Sequence, residues 1–410
     1  MGREEIFGED AWRSSRGREG GFEAGCPPIF LDREKLSPQY VPRVVLHRGR
    51  QVGTLQRRFE SFLHKPGETF CRVVQVVGPV GTGKTCVSQH FGLRFQEEAS
   101  KRGIPLGFIY VNCRPDVGTR YMLYKAVLQK ISPRIASRGL SAGEMLHQLL
   151  HHLSVEERFA LLAVDEIDHV VKRDGSDVIY DLTRLAELAY PKHSGVVGVI
   201  LISRDTGYHK LLDPASRSSL GRVMVEMPPY TPPQLGDILT SRVEEAFQPG
   251  AVDEEIVDFV ADIAGSEPFH GDCRVALDIL WGAGLLAEIG GCSRVHPEHV
   301  RRAVRESHSS IGAGDLSSLS QHELLFLTGV VRELHLNEKT YVSLKDAWIG
   351  YGMACEEHEI EPQPLEKAEE HVERLETLGM VGYKPNKGIS IIEASVEELN
   401  VILDQVLAGS

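Results

Sequence analysis

At 410 residues the chain is too long for one ordinary hydrophobic core and has room for two or three domains. A content of 42% hydrophobic and 25% charged residues is that of a soluble globular protein, and the longest apolar runs, such as Val196–Ile202, fall far short of a membrane span. The net charge of −13 runs against nucleic acid as a bulk electrostatic partner, and seven cysteines without CxxC spacing argue against a zinc or redox pair and fit a reducing, intracellular compartment.

Residues 1–39, rich in Gly, Arg and Glu, have no apolar segment of the signal-peptide kind and read as a flexible N-terminal arm. Arg72–Val77 (RVVQVV) is a short apolar strand, Gly78–Thr85 a glycine-rich turn, and Cys86–Glu98 a helix. Further strands are predicted at Gly107–Asn112, Phe159–Val164, Gly195–Ser203 and Arg222–Met227, with helical stretches between most of them. Apolar strands alternating with helices predict a parallel α/β sheet covered on both faces, over residues 40–229.

After Pro228-Pro229-Tyr230 the pattern becomes wholly helical, at Thr231–Phe247, Glu254–Ala264, Cys273–Ile289 and Pro297–Ser307. This predicts a small helical domain over residues 230–310, ending in a Ser/Gly-rich linker at Ser309–Asp315. In residues 311–410, helices are predicted from His322, around Leu344–Ala354 and around Leu365–Leu378. Strands follow at Met380–Lys384 and Ile389–Glu393, joined by Pro385-Asn386-Lys387-Gly388. Three helices and a hairpin form the pattern of a winged helix-turn-helix.

Gly78-Pro79-Val80-Gly81-Thr82-Gly83-Lys84-Thr85 matches GxxxxGK[ST] between a strand and a helix. Gly78, Gly81 and Gly83 let backbone N–H groups, including that of Thr82, turn inward around phosphate oxygens, and the helix N-terminus adds its dipole. Lys84 is expected to reach the β- and γ-phosphates of ATP, and Thr85 to ligate Mg²⁺. Leu161-Leu162-Ala163-Val164-Asp165-Glu166 is a buried strand ending in two acids, at the edge of a parallel sheet where ligands bind. Asp165 is the expected second holder of Mg²⁺, and Glu166 the group that orients or deprotonates the attacking water.

These motifs, with Asp165-Glu166-Ile167-Asp168 and a helical lid, resemble the AAA+ ATPase superfamily. Several further segments narrow the resemblance: Tyr40-Val41-Pro42, His47-Arg48, Leu212-Asp213-Pro214, Ser218-Ser219-Leu220-Gly221, Gln234–Leu239 and Gly271-Asp272-Cys273-Arg274. With the winged helix, the chain from Tyr40 onward resembles the archaeal origin-recognition and cell-division-control type replication initiators. The resemblance implies an ATP-dependent initiator that binds double-stranded origin DNA, helps load the replicative helicase, works in the cytoplasm on the nucleoid, and acts with other initiator copies. It implies that Tyr230 and Arg242 contact the nucleotide and that Arg274 is a lid arginine reaching the γ-phosphate. Two departures bear on turnover. The family's sensor asparagine after the fourth strand is Arg204 here, and the arginine that follows Asp-Pro is Ala215, with Arg217 out of register. Both imply a weak ATPase with a long-lived ADP state.

Shape and charge disagree about DNA. From Ile311 to Ser410 there are seven Lys/Arg against eighteen Asp/Glu, a net −11. The expected recognition helix carries Leu365, Ala368, Val372, Leu375 and Leu378 as its apolar stripe. That turns Glu366, Glu369, Glu370, Glu373 and Glu376 outward, and only Lys384 and Lys387 at the wing look free for phosphate. The acid-free stretch Val117–Gly143 is the stronger DNA candidate, with Arg120, Lys125, Lys130, Arg134 and Arg138, at the place of the family's DNA-contacting insertion. Two other readings remain: a loader or regulator that works through protein contacts, and a nucleotide-dependent signalling switch with no DNA role.

Overall fold

The computed structural model describes residues 28–66, 71–114, 117–133, 139–189, 195–221, 223–307, 316, 318–392 and 394–409. Five strands form one parallel sheet: β1 (Arg72–Val77), β2 (Leu106–Asn112), β3 (Phe159–Asp165), β4 (Val196–Ser203) and β5 (Met224–Glu226), in the order β2-β3-β4-β1-β5. β1 and β4 are buried at every position, as a sheet covered on both faces requires. Alternate residues of β1 serve the two faces. Val74 and Val76 pack with Leu55, Phe59 and Phe62 of the helix Gly49–His64 and with Phe91 and Phe95 of the helix Lys84–Lys101. Val73 packs on the opposite side, in the core built by the helices Arg120–Ile131 and Ala142–Val155.

The register sets the site. Val77 pairs with Ser203, and Asn112 pairs with Asp165, so the carboxyl ends of β1, β2, β3 and β4 share one edge. The turn after β1 and the acids after β3 flank β4 on that edge.

The helices Pro232–Ala246, Glu254–Gly265, Cys273–Ile289 and Pro297–Ser307 form the lid around Leu239, Phe259, Leu280 and Val300. Ile29, Phe30 and Leu36 are buried in this same core. The Leu31 N–H donates to the Ala246 carbonyl at 2.8 Å, the Gln248 N–H donates to the Ile29 carbonyl at 2.8 Å, and the Phe30 and Phe247 rings lie 4.7 Å apart. The expected arm therefore does not extend to residue 39. Residues 29–36 are part of the lid because three apolar side chains there find a partner that local composition does not reveal.

The C-terminal part has helices Gln321–Leu336, Leu344–Glu357 and Ala368–Thr377, then a hairpin of Gly382–Lys384 with Gly388–Ser390. This is the element order expected of a winged helix. The third helix is shorter than predicted: Leu365–Lys367 is a 3-10 turn, and Leu365 is exposed rather than part of the apolar stripe. A last helix, Val396–Gly409, was not predicted, although Leu399, Leu403 and Leu407 form its buried stripe. The predicted linker Ser309–Asp315 lies outside the described residues.

The C-terminal part is fastened to the lid. Arg301, only 2% exposed, donates to the carbonyls of Ile391 at 3.0 Å and Lys339 at 2.8 Å. Glu255 accepts from the Thr340 N–H at 3.3 Å, and Arg305 pairs with Glu398.

Candidate nucleotide site

Gly81 (φ 70°) and Gly83 (φ 84°) adopt left-handed backbone, and Gly83 caps the helix that begins at Lys84. Close approach adds a second reason for glycine here. A Cβ at Gly81 would stand 1.7 Å from Asp272 Oδ1, and one at Gly83 would stand 2.7 Å from the Tyr230 hydroxyl. The Cys273 N–H donates to the Gly81 carbonyl at 3.2 Å, so the start of the lid helix Cys273–Ile289 rests directly on the loop. The Lys84 ammonium donates to the Pro79 carbonyl at 2.5 Å. Burial pushes the Lys84 pKa down, against the opposing pull of Asp165.

Asp165 is buried, and both its oxygens are in use. Oδ2 accepts from the Thr85 hydroxyl at 2.5 Å and from the Tyr110 hydroxyl at 2.9 Å, and Oδ1 accepts from the Glu166 N–H at 2.9 Å. Burial and the Asp165 carboxylate push the Tyr110 pKa upward, so Tyr110 stays a proton donor. Glu166 has left-handed backbone (φ 54°), and its carboxylate lies between Arg114 Nε at 3.3 Å and Arg204 Nη2 at 3.6 Å.

A cleft runs from these groups to the lid, walled by Tyr40, Pro42, Val45, Ile238 and Leu277, with Arg274 and Ser203 at its polar end. Arg242 lines it too. It is buried, its guanidinium lies 4.6 Å from the Tyr40 ring centroid, and its Nη1 makes no hydrogen bond among the described residues. Tyr230 is buried with its pKa pushed up to about 12, mainly by burial. Arg217 donates to the carbonyls of His209 and Leu212, so it is spent on its own loop.

The structure therefore brings together Gly78, Gly81, Thr82, Gly83, Lys84, Thr85, Asp165, Glu166, Arg204, Tyr230, Arg242 and Arg274. Sequence reasoning passed over Tyr110 and Arg114, and it marked Arg48 only as part of the His47-Arg48 segment of the resemblance, with no role. Tyr110 carried a signal of its own, a lone phenol near the end of a mostly apolar strand. The group set fits a nucleotide, because a buried guanidinium with an unsatisfied N–H and a left-handed glycine loop both call for anionic or acceptor atoms. Hard oxygens at Thr85 and Asp165 fit Mg²⁺.

The DNA candidates fall out differently. Arg120 pairs with Asp177 at 2.9 Å and Asp181 at 3.6 Å, Lys125 is half-buried, and the Lys130 ammonium donates to the Tyr110 carbonyl at 2.7 Å. Arg134 and Arg138 lie outside the described residues. The wing lysines are not free, contrary to expectation. Lys384 donates to Ser266 Oγ at 3.1 Å, and Lys387 pairs with Asp262 at 2.7 Å and Asp258 at 3.5 Å, because the hairpin docks on the acidic lid helix Glu254–Gly265. The five glutamates of the third C-terminal helix region are exposed as expected.

Fold and site together define an ATPase of the AAA+ class. An AAA domain model matches residues 69–212, and a Cdc6 AAA+ ATPase-type lid domain model matches residues 236–305. The ORC1-type DNA replication protein of Pyrococcus furiosus is 33% identical over 361 residues, which cover 87% of this chain and 83% of that protein. The chain belongs to the ORC1-type DNA replication protein family. Among solved structures, Cdc6p from Pyrobaculum aerophilum superposes with a TM-score of 0.81 at 26% identity, covering 93% of this chain and 99% of that one. The Aeropyrum pernix ORC1 protein in complex with DNA gives a TM-score of 0.61 at 30% identity, covering 93% and 97%. Among the described residues no helix is long and apolar enough to cross a membrane.

Proposed function

We propose that this chain is an ATP-switched replication initiator that binds double-stranded origin DNA and helps load the replicative helicase, with slow ATP hydrolysis setting the lifetime of its active state. The observation that carries the reading is the convergence of the loop Gly78–Thr85, the Asp165-Glu166 pair and the unsatisfied Arg242 in one cleft closed by the lid.

In this reading Lys84 leaves the Pro79 carbonyl for the β- and γ-phosphates, and Tyr230 and Arg242 hold the nucleotide. Arg274 reaches the γ-phosphate from the lid. Thr85 and Asp165 would hold Mg²⁺, which neutralises phosphate charge when bound. Glu166 accepts the proton of the attacking water after release from Arg114 and Arg204. Those two ion pairs support slow turnover, since a base held by cations is not aimed at water. Lys84→Ala is expected to weaken binding of a fluorescent ATP analogue by at least about tenfold. Unchanged affinity removes the reading.

The DNA role rests on the relative solved with DNA, since Arg120 and Lys130 between β2 and β3 are engaged within the chain. Fluorescence anisotropy of an origin-like duplex at several salt concentrations tests it. Log affinity falls with log salt by roughly −0.9 per phosphate neutralised, so a flat response rejects DNA as partner. The second reading, a loader or regulator acting through protein contacts, is favoured by the engaged wing lysines and the exposed glutamates. A flat salt response would leave that reading in place.

A further inference from the structure

Arg48 is only 2% exposed, yet among the described residues no carboxylate pairs with it. Its Nε and Nη2 reach the Thr82 carbonyl oxygen at 3.3 and 3.1 Å, and Nη2 also donates to the Pro228 carbonyl at 2.6 Å. Its guanidinium carbon lies 3.8 Å from the centroid of the Tyr230 ring. A buried cation held only by carbonyls and a ring carries an uncompensated charge, a costly arrangement unless it serves a nearby anion.

Peptide geometry says how. A trans peptide points its C=O and N–H in opposite directions. Gly83 and Lys84 line the cleft and Arg48 does not. Arg48 therefore draws the Thr82 oxygen away from the cleft, which turns the Gly83 N–H toward it. The left-handed φ of 84° at Gly83 accommodates that orientation, and the Thr82 hydroxyl, donating to the Pro79 carbonyl at 2.9 Å, braces the other side. The same guanidinium grips the hinge, through the Pro228 carbonyl and the Tyr230 ring.

We propose that Arg48 is a positioning residue for the phosphate loop: it fixes the Thr82–Gly83 peptide so that the loop offers an N–H to the β-phosphate, and it couples that setting to the lid hinge. The consequence is selectivity for nucleoside di- and triphosphates over monophosphates. This rests on the nucleotide-binding reading above. The cation also adds positive potential behind the loop without touching the ligand.

The experiment titrates the full-length protein with ADP, and with AMP by displacement, for the parent, Arg48→Met and Arg48→Lys. Arg48→Met is expected to lose roughly tenfold or more in ADP affinity, with AMP affinity within about threefold of the parent. Arg48→Lys should recover part of the ADP loss, because an ammonium can hold the Thr82 carbonyl but cannot also stack flat on Tyr230 while gripping Pro228. Equal losses for ADP and AMP in either variant overturn the proposal and leave Arg48 a packing residue. If Arg48→Met does not fold, the ADP-to-AMP ratio of Arg48→Lys decides alone. A parent that binds neither nucleotide overturns the nucleotide reading itself, a result separable from any Arg48 effect.

Discussion

The Lys387 ammonium lies 2.7 Å from Asp262 Oδ2, so the tip of the C-terminal hairpin is fastened to the lid. Asp262 also accepts the Tyr341 hydroxyl at 2.8 Å and stands 3.7 Å from Lys384. A carboxylate with three donors around it, mostly out of water, is a structural joint.

The double variant Lys384→Glu, Lys387→Glu would set carboxylates against Asp258 and Asp262. It should destabilise the protein by about 1–3 kcal/mol, read as a lower thermal midpoint. Duplex affinity should fall less than in Arg134→Glu, Arg138→Glu. A larger loss of DNA binding with an unchanged midpoint would mean that the wing meets phosphate directly.

Glu166 is held by Arg114 and Arg204, and Arg204 stands where the resemblance leads one to expect an asparagine. Arg204→Asn should raise single-turnover hydrolysis by roughly a few-fold, since one of two restraints on the base is gone. Glu166→Gln should bind ATP normally and hydrolyse it roughly 10²–10⁴-fold more slowly. Slower hydrolysis in Arg204→Asn would assign that arginine a catalytic role of its own.

Tyr110 holds Asp165 in place by a 2.9 Å hydrogen bond from outside the two motifs. Tyr110→Phe should raise the Mg²⁺ concentration needed for half-maximal activity by roughly tenfold, while nucleotide affinity measured without metal stays the same. An equal loss with and without Mg²⁺ would show that the phenol acts on the nucleotide instead.

His299 lies in the lid, where burial, then neighbouring His296 and Arg302, push its pKa down to about 4, with Glu338 opposing. The unfolded chain takes up this proton near pH 6.5, and the folded protein resists it until about 4. This group therefore costs stability as the pH falls from 6.5 toward 4 and has no effect above 6.5. The melting temperature of the parent should drop more between pH 7 and pH 5 than that of His299→Gln. Parallel profiles would exclude His299 as the source.

The strands were legible because a buried parallel strand is apolar at almost every position. RVVQVV and FALLAV mark β1 and β3 to within a residue. The phosphate loop and Asp165-Glu166 were legible because their chemistry lies in consecutive residues. Arg48, Tyr110 and Arg114 were not, since each acquires its partner across more than thirty residues of chain, through sheet register or domain contact. The wing lysines failed for the same reason. Charge along the sequence counted them as free, and their partners Asp258 and Asp262 belong to another domain. The helix Val396–Gly409 carries a leucine stripe, Leu399, Leu403 and Leu407, whose buried partners lie in other helices of the C-terminal part.

The burial of Ile29, Phe30 and Leu36 in the lid has a mechanical consequence. The chain leaves the lid after Leu36, passes Tyr40 and His47, which bond lid residues Glu245 and Asp237, and enters the core at the helix Gly49–His64. It crosses back through Pro228-Pro229-Tyr230. Core and lid are thus joined by two tethers. A single tether permits swivelling in any direction, whereas two define an axis and restrict the lid to swinging about the line between them. Cutting the chain between Leu36 and Tyr40 would leave every residue proposed to contact the nucleotide in place and remove that axis.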